Sequence, residues 1–253
     1  MAIEPAAPCG VCATCRDGRG WLCPDGRFAG HAPVDGALRE RMAWPADLLV
    51  PLPDAVGDVD AALLEPLGVA LHAVDLAAVA PGMCAAVVGC GPIGLLVIRV
   101  LRAAGVVDVV ASDPLLHRVA MAEASGAVPF DCGDAVGLPE VDVAFDASGE
   151  PDAVATAVRV ARPGGRVTLV GIPAEDRTTF PASAARRKEL TIVVCRRMTA
   201  TDLSRAATLV ADGRIRLDGL VSASFSLADA PAAFVALAER RGLKTVVHPG
   251  AAA

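Results

Sequence analysis

Apolar and polar residues change their rhythm twice along this chain. Residues 1–36 show no sustained period: Cys, Gly, Pro and Arg dominate, and too few apolar side chains fall in register to bury a core. That predicts a loop-rich lobe in need of a staple. Short strand-like pieces follow at 37–43 and 48–52, separated by Pro45 and closed by Pro53. From Val59 to Ala78 the period becomes helical, with Asp60 near the start and Pro66 predicting a kink or a break into two helices.

Between Met83 and Arg197 the pattern alternates. Strands are expected at 85–88, 107–111, 127–130, 141–146, 166–171 and 191–195, with helices at 93–104, 115–125 and 152–161 between several of them. Such alternation predicts an α/β fold with a doubly wound parallel sheet, because parallel neighbours need right-handed crossovers. After Met198 come two more helices, about 200–212 and 227–240, and two strands, about 220–225 and 244–248.

Composition narrows the classes. The chain has 253 residues, of which 54% are hydrophobic, and a mean hydropathy of +0.50, so a membrane span has to be considered. The longest apolar stretch, 84–98, is interrupted by Gly89, Gly91, Pro92 and Gly94, which leaves no spanning helix. Nothing at the start resembles an export signal, and a cytoplasmic protein is expected. A net charge of −6, with arginines scattered rather than gathered in a stripe, argues against a nucleic-acid partner. Tyr, Asn and Gln are absent, and Lys188 and Lys244 are the only lysines.

Cys9, Cys12, Cys15 and Cys23 form C-x2-C-x2-C-x7-C. Four thiolates on short tethers close a tetrahedral zinc site with no vacant position, so the site reads as structural. Free or oxidised loop cysteines and an iron–sulfur site are the alternatives, and the spacing fits neither common ferredoxin run. Cys84, Cys90, Cys132 and Cys195 read as packing residues. His31, His72, His117 and His248 each lack a ligand pattern around them, and packing or surface roles are expected.

Gly89-Cys90-Gly91-Pro92-Ile93-Gly94 reads G-x-G-x-x-G directly after a strand and opens a helix. Gly89 permits the tight turn, Gly91 lets backbone reach a pyrophosphate, Gly94 lets helix and strand approach, and the helix N-terminus faces phosphate charge. Asp113 follows nineteen residues after Gly94, at the end of the next strand, where a carboxylate holds ribose hydroxyls. A carboxylate there repels a 2′-phosphate, so NAD is expected over NADP.

The cysteine lobe, Leu64-Glu65-Pro66-Leu67, the glycine turn, Asp113 with Arg118, Asp146-Ala147-Ser148-Gly149 and the closing Leu243 to Pro249 occur in one order. That order resembles the zinc-containing medium-chain dehydrogenases, especially the sorbitol (L-iditol) and threonine dehydrogenase branch, over residues 1 to about 249. The resemblance implies a Rossmann domain at 67–198 and an incomplete GroES-like, β-rich catalytic domain at 1–66 and 199–253. It implies NAD-linked oxidation of a secondary alcohol or polyol, with a threonine-type amino alcohol as the alternative. It also implies a second, open zinc beside Glu65, Arg196 near the substrate oxygen, and Pro92, Ile93, Arg118, Val170, Gly171, Ile172, Val194, Cys195 and Arg196 around NAD. A homodimer or homotetramer is the implied assembly.

Two departures qualify that picture. Such relatives carry a zinc-ligand Cys and a His-Glu pair ahead of the lobe, whereas this chain begins where they read Gly-Asp-Arg-Val-Ala-Ile-Glu-Pro, with Met1 for the Val. An N-terminal truncation through a misassigned start codon is therefore expected, and with it impaired turnover. Arg197 stands where polyol relatives tend to carry Tyr. The rival functions are a non-catalytic NAD- and zinc-binding module and a zinc-knuckle nucleic-acid binder. The second conflicts with the acidic charge and with the scarcity of aromatics near the cysteines, where only Trp21 and Phe28 occur.

Overall fold

The computed structural model describes residues 1–133 and 138–250. The chain divides into two compact units: Met1–Gly68 with Arg197–Ala253, and Val69–Arg196.

The first unit opens with β1 (Ala2–Ile3), β2 (Ala6–Ala7), the short helix α1 (Ala13–Arg16), β3 (Arg27–Phe28) and β4 (Leu49–Val50), and continues into α2 (Asp58–Leu76). Its strands form antiparallel pairs, β1 with β4 and β2 with β3. The division between units falls inside α2, which runs through Pro66 as one helix rather than two. Proline removes the bond to the carbonyl four residues back, that of Ala62. Ala62 lines an open groove, where water can satisfy that carbonyl.

The second unit carries β5 (Cys84–Val88), α3 (Pro92–Ala103), β6 (Asp108–Ser112), α4 (Leu116–Ala124), β7 (Val128–Pro129), β8 (Val141–Asp146), α5 (Pro151–Val160), β9 (Ala161–Leu169), α6 (Ala182–Arg187) and β10 (Thr191–Val194). The sheet order is β10-β9-β8-β5-β6-β7, and every pair is parallel. The expected doubly wound sheet is thus present. Ala85, Ala86 and Val87 of β5 and Leu95, Leu96, Val97, Ile98 and Leu101 of α3 are fully buried, which is why these segments read as nearly continuous apolar runs. Each fully buried Leu or Ile contributes about 1.5–3 kcal/mol over an exposed one. Lys188 follows α6 and donates from Nζ to the carbonyls of Arg159 and Ala161, both at 2.6 Å, closing the C-terminal end of α5.

The chain then returns to the first unit with α7 (Asp202–Ala211), β11 (Val221–Ser226), α8 (Ala230–Ala238) and β12 (Lys244–His248), β11 and β12 pairing in parallel. Gly68 and Met198 show how tightly this return packs: a side chain on Gly68 would run into the sulfur of Met198.

Three expectations need correction. Residues 37–43 form no strand; Ala37 to Arg41 are all exposed, and no neighbouring backbone completes a ladder for them. The strand expected to begin at Arg166 begins at Ala161, with a register shift between Val141 and Val143 that accommodates Pro163-Gly164-Gly165. Helix α6 was not anticipated, being too short for periodicity to mark it. Among the described residues, no helix is long and apolar enough to cross a membrane.

Candidate functional site

In the second unit, β5 leads through α3 to β6 on one side while β8 lies on its other side, so the carboxyl ends of β5 and β8 mark the point where the winding reverses. Open α/β sheets bind ligands in the crevice at such a point. Gly89 follows β5 with φ of 94°, in the left-handed region, and a Cβ there would meet Ser148 Cβ at 2.7 Å and its nitrogen at 2.9 Å. A Cβ on Gly94 would run into the carbonyl oxygen of Gly89. Both positions therefore exclude a side chain, and Pro92 occupies the first turn of α3, where a missing N–H costs nothing.

Asp113 is held firmly at the end of β6. Its Oδ2 accepts from Cys90 N at 2.8 Å and its Oδ1 from Leu115 N at 2.9 Å, and its side chain is 4% exposed. Arg118 on α4 reaches it with Nη1 at 3.8 Å, and a Cβ on Gly91 would come within 3.6 Å of that same Nη1. The Arg118 Nε is buried without a hydrogen-bond partner, a donor available to a bound group. Asp113 thus braces the glycine turn, and its oxygens retain lone pairs for further donors.

Asp146 closes the opposite wall. It is 2% exposed, and its Oδ1 accepts from Ser148 N at 2.9 Å, Ser148 Oγ at 3.0 Å and Gly149 N at 3.2 Å. This holds Ala147 to Gly149 over Gly89, while Gly149 packs backbone to backbone against Gly171 and Ile172. Val170, Gly171 and Ile172 follow β9, Val194 ends β10, and Cys195 and Arg196 come directly after it, with Cys195 N donating to Leu169 O at 2.8 Å. All of these expected cofactor residues lie at one edge of the sheet. Ile172 is 90% and Val194 72% exposed there. Sequence reasoning left Asp146 and Ser148 out of the site; the Asp-x-Ser-Gly turn after β8 was the available signal.

In the first unit, the Sγ atoms of Cys9, Cys12, Cys15 and Cys23 all lie within 4.8 Å of one another. Cys9 and Cys15 are 3.9 Å apart, and Cys12 and Cys23 3.8 Å, close to the roughly 3.8 Å that a tetrahedron with Zn–S bonds of about 2.3 Å requires. Backbone N–H groups already point at the sulfurs: Cys12 N donates to Cys9 Sγ at 3.3 Å, Cys9 N to Cys23 Sγ at 3.4 Å and Cys15 N to Cys12 Sγ at 3.4 Å. The donors on Cys9 lower its pKa to about 7, whereas burial raises Cys15 to about 12. The residues fit a closed structural zinc.

Glu65 lines a groove of about 1000 Å³ walled by Met1, Ile3, Ala61, Phe225 and Val247. Burial pushes its pKa up, against the pull of Lys244. Among the described residues, the four cysteines are the only group of three or more His, Cys, Asp or Glu close enough to share a metal. A catalytic zinc beside Glu65 therefore does not fit the residues present. Glu65 and Arg196 belong to different units. His72 is buried, His31 packs its ring 4.6 Å from that of Phe28, and none of the four histidines joins a metal group.

Glu4 is a further, half-buried acid that the sequence reading did not single out. Burial raises its pKa from 4.5 to about 7, with the Glu65 charge adding and Arg197 opposing. A carboxylate whose pKa rises on folding stabilises the fold below its unfolded value and loses that contribution as pH climbs. Stability is therefore expected to fall between pH 4.5 and about 7. Urea midpoints across that window should show a slope that Glu4→Gln flattens; an equal slope in both proteins would dismiss Glu4 as its source.

Residues 92–212 match the zinc-binding dehydrogenase family. The chain is 34% identical over 261 residues to D-xylulose reductase A of Aspergillus oryzae, an alignment covering 98% of the chain and 73% of that protein. It superposes on a zinc-binding dehydrogenase of Sinorhizobium meliloti bound to NADP with a TM-score of 0.90 and 31% identity, over 98% of this chain and 76% of that one. It superposes on 2R,3R-butanediol dehydrogenase of Bacillus subtilis with a TM-score of 0.87 and 30% identity, over 98% and 73%.

Proposed function

The chain belongs to the zinc-binding dehydrogenases, and we propose that it serves the NAD-linked oxidation of a secondary alcohol of the polyol kind. The observation that carries this reading is the glycine turn after β5 braced by Asp113 at the point where the sheet's winding reverses. In this reading Gly89, Gly91, Pro92, Ile93 and Gly94 receive the pyrophosphate, Asp113 and Arg118 the adenosine ribose, and Val170 to Ile172 with Val194 to Arg196 the nicotinamide side. Residues 67–198 are the NAD-binding domain, and 1–66 with 199–253 contribute the catalytic domain. D-xylulose reductase and 2R,3R-butanediol dehydrogenase, by name, act on hydroxylated small molecules, which supports an alcohol of that class. The cytoplasm is the proposed setting, with none of the eight cysteines in a disulfide, and a homodimer or homotetramer the proposed assembly.

The Sinorhizobium neighbour binds NADP, so the preference for NAD rests on Asp113 alone. Calorimetric titration is expected to give tighter binding of NAD than of NADP, and Asp113→Ala should narrow the difference; equal affinities in the parent protein would remove the argument. In enzymes of this family a catalytic zinc supplies Lewis-acid activation of the alcohol oxygen. Because Glu65 joins no group of three or more metal-binding side chains among the described residues, the 253-residue chain is expected to bind NAD and lobe zinc yet form NADH slowly. That observation also favours a second reading, a non-catalytic NAD- and zinc-binding module. Assaying NADH formation with xylitol, sorbitol, 2,3-butanediol and threonine, with and without the upstream reading frame restored, separates them. Turnover only in the extended form supports the enzyme, none in either form supports the module, and turnover of threonine alone moves the substrate to amino alcohols.

A further inference from the structure

The only two tryptophans of the chain, which has no tyrosine, both lie in the first unit, Trp21 bonded through its carbonyl to Arg197 and Trp44 bonded to the Glu4 carbonyl. Arg197 has φ of 57°, a left-handed backbone that costs a non-glycine residue roughly 1–2 kcal/mol and persists where its surroundings over-determine it. Its guanidinium carbon lies 4.7 Å from the centre of the Phe28 ring, and its Nη1 donates to the carbonyl of Trp21 at 3.4 Å. Trp21 lies in a one-turn 3-10 helix, Gly20–Leu22, directly before Cys23, so its carbonyl is fixed by the cysteine loop.

Phe28 leads to the second half of the cluster. In the β2–β3 pair it sits opposite Ala6, whose N–H donates to Glu4 Oε1 at 3.1 Å. The other Glu4 oxygen, Oε2, is buried without a hydrogen-bond partner. Trp44 Nε1 donates to the Glu4 carbonyl at 2.8 Å, and the Arg27 guanidinium lies 5.8 Å over the Trp44 ring. A continuous set of contacts thus runs from the cysteine loop through Arg197 and Phe28 to Glu4. The Arg197 charge also draws the Glu4 pKa down against burial. A lysine cannot replace arginine here, because a flat face on Phe28 and a forked donor are used together.

We propose that Arg197 is a positioning residue that couples the cysteine lobe to Glu4. Zinc seated in the lobe fixes the Trp21 carbonyl and the Phe28 ring, these fix the guanidinium, and the guanidinium orders the Glu4 segment. The coupling extends beyond the dehydrogenase reading and holds whether or not the chain oxidises an alcohol.

Tryptophan emission tests it directly. The Trp21 atom that Arg197 bonds at 3.4 Å is its backbone carbonyl, which Trp21→Phe keeps, and the substitution makes Trp44, beside Glu4, the sole emitter. Titrating zinc into the chelator-treated Trp21→Phe protein is expected to shift Trp44 emission. In the Trp21→Phe/Arg197→Ala protein the amplitude should fall at least threefold while zinc content per chain is unchanged. If that variant fails to hold zinc, Arg197→Lys in the same background, which keeps the charge but not the flat face, should still reduce the amplitude. No Trp44 response to zinc in the Trp21→Phe protein, or a full response in either zinc-loaded Arg197 variant, would overturn the proposal. None of these readouts needs NAD or an alcohol, so failure here leaves the dehydrogenase reading as it stands, and failure of NAD binding leaves this coupling as it stands.

Discussion

Gly94→Ala is expected to abolish NAD binding while leaving the lobe's zinc in place. The methyl would be driven into the carbonyl oxygen of Gly89, with Ala147 Cβ only 3.4 Å away on another side. Gly89 cannot retreat, because Ser148 lies across it and Ser148 is tied to the buried Asp146. The helix must instead move outward, and overpacking of this kind costs about 1–3 kcal/mol of stability. The larger effect is on the ligand. A shifted helix no longer aims its N-terminal N–H groups and dipole at the pyrophosphate, which is what that terminus offers the ligand. Gly57→Ala is the control: a Cβ there meets nothing within 4 Å, and its φ is not left-handed. Calorimetry should register binding in the parent and the control and none in Gly94→Ala; an unchanged NAD affinity would show that the turn does not seat a pyrophosphate.

Removal of the lobe's zinc is the second large expected effect. Structural zinc sites contribute on the order of 10–16 kcal/mol of apparent binding free energy in small zinc-finger peptides, and residues 1–36 offer little else to hold themselves together. Among their side chains only Ala2, Ala6, Ala7 and Cys23 are buried apolar ones. Cys12→Ser removes the ligand whose sulfur also accepts the Cys15 N–H that starts α1. Bound zinc, measured by a metallochromic dye after desalting, should fall from one per chain to almost none. Proteolysis should then cut within 1–36. NAD binding is expected to survive, because the glycine turn and Asp113 belong to the other unit. Retention of zinc by Cys12→Ser would mean that the cluster is not a four-thiolate site.

The parts of the site legible in the sequence are those in which a short segment carries its own geometry. The four cysteines lie within fifteen residues, and the glycine turn within six. Asp113 was readable because the strand–helix–strand spacing places it one crossover after the turn. Asp146 was hidden for the opposite reason: its role appears only when β8 lies beside β5, bringing Ser148 against Gly89. Glu4 reads as an ordinary acid before a proline, and its raised pKa comes from a burial that only the folded unit creates, with Arg197, distant in sequence, pulling the other way. Residues 37–43 misled because alternating residue types suggest a strand, but a strand also needs a partner, and Ala37 to Arg41 stay exposed.

The order of residues alone specifies the parallel sheet, the dinucleotide turn and the cysteine cluster, since local periodicity and spacing follow from backbone geometry that needs no distant partner. Folding in three dimensions sets how Asp113 is used, as a brace between Cys90 and Leu115, and leaves Glu65 outside any group of three or more metal-binding side chains among the described residues. It also decided that Arg197 joins Trp21 and Phe28. The physical reason is common to all three: hydrogen bonding, metal sharing and charge pairing act over a few ångströms in space, and the chain brings those atoms together only when each unit has folded, the second around the Asp113 brace and the first from the two ends of the chain.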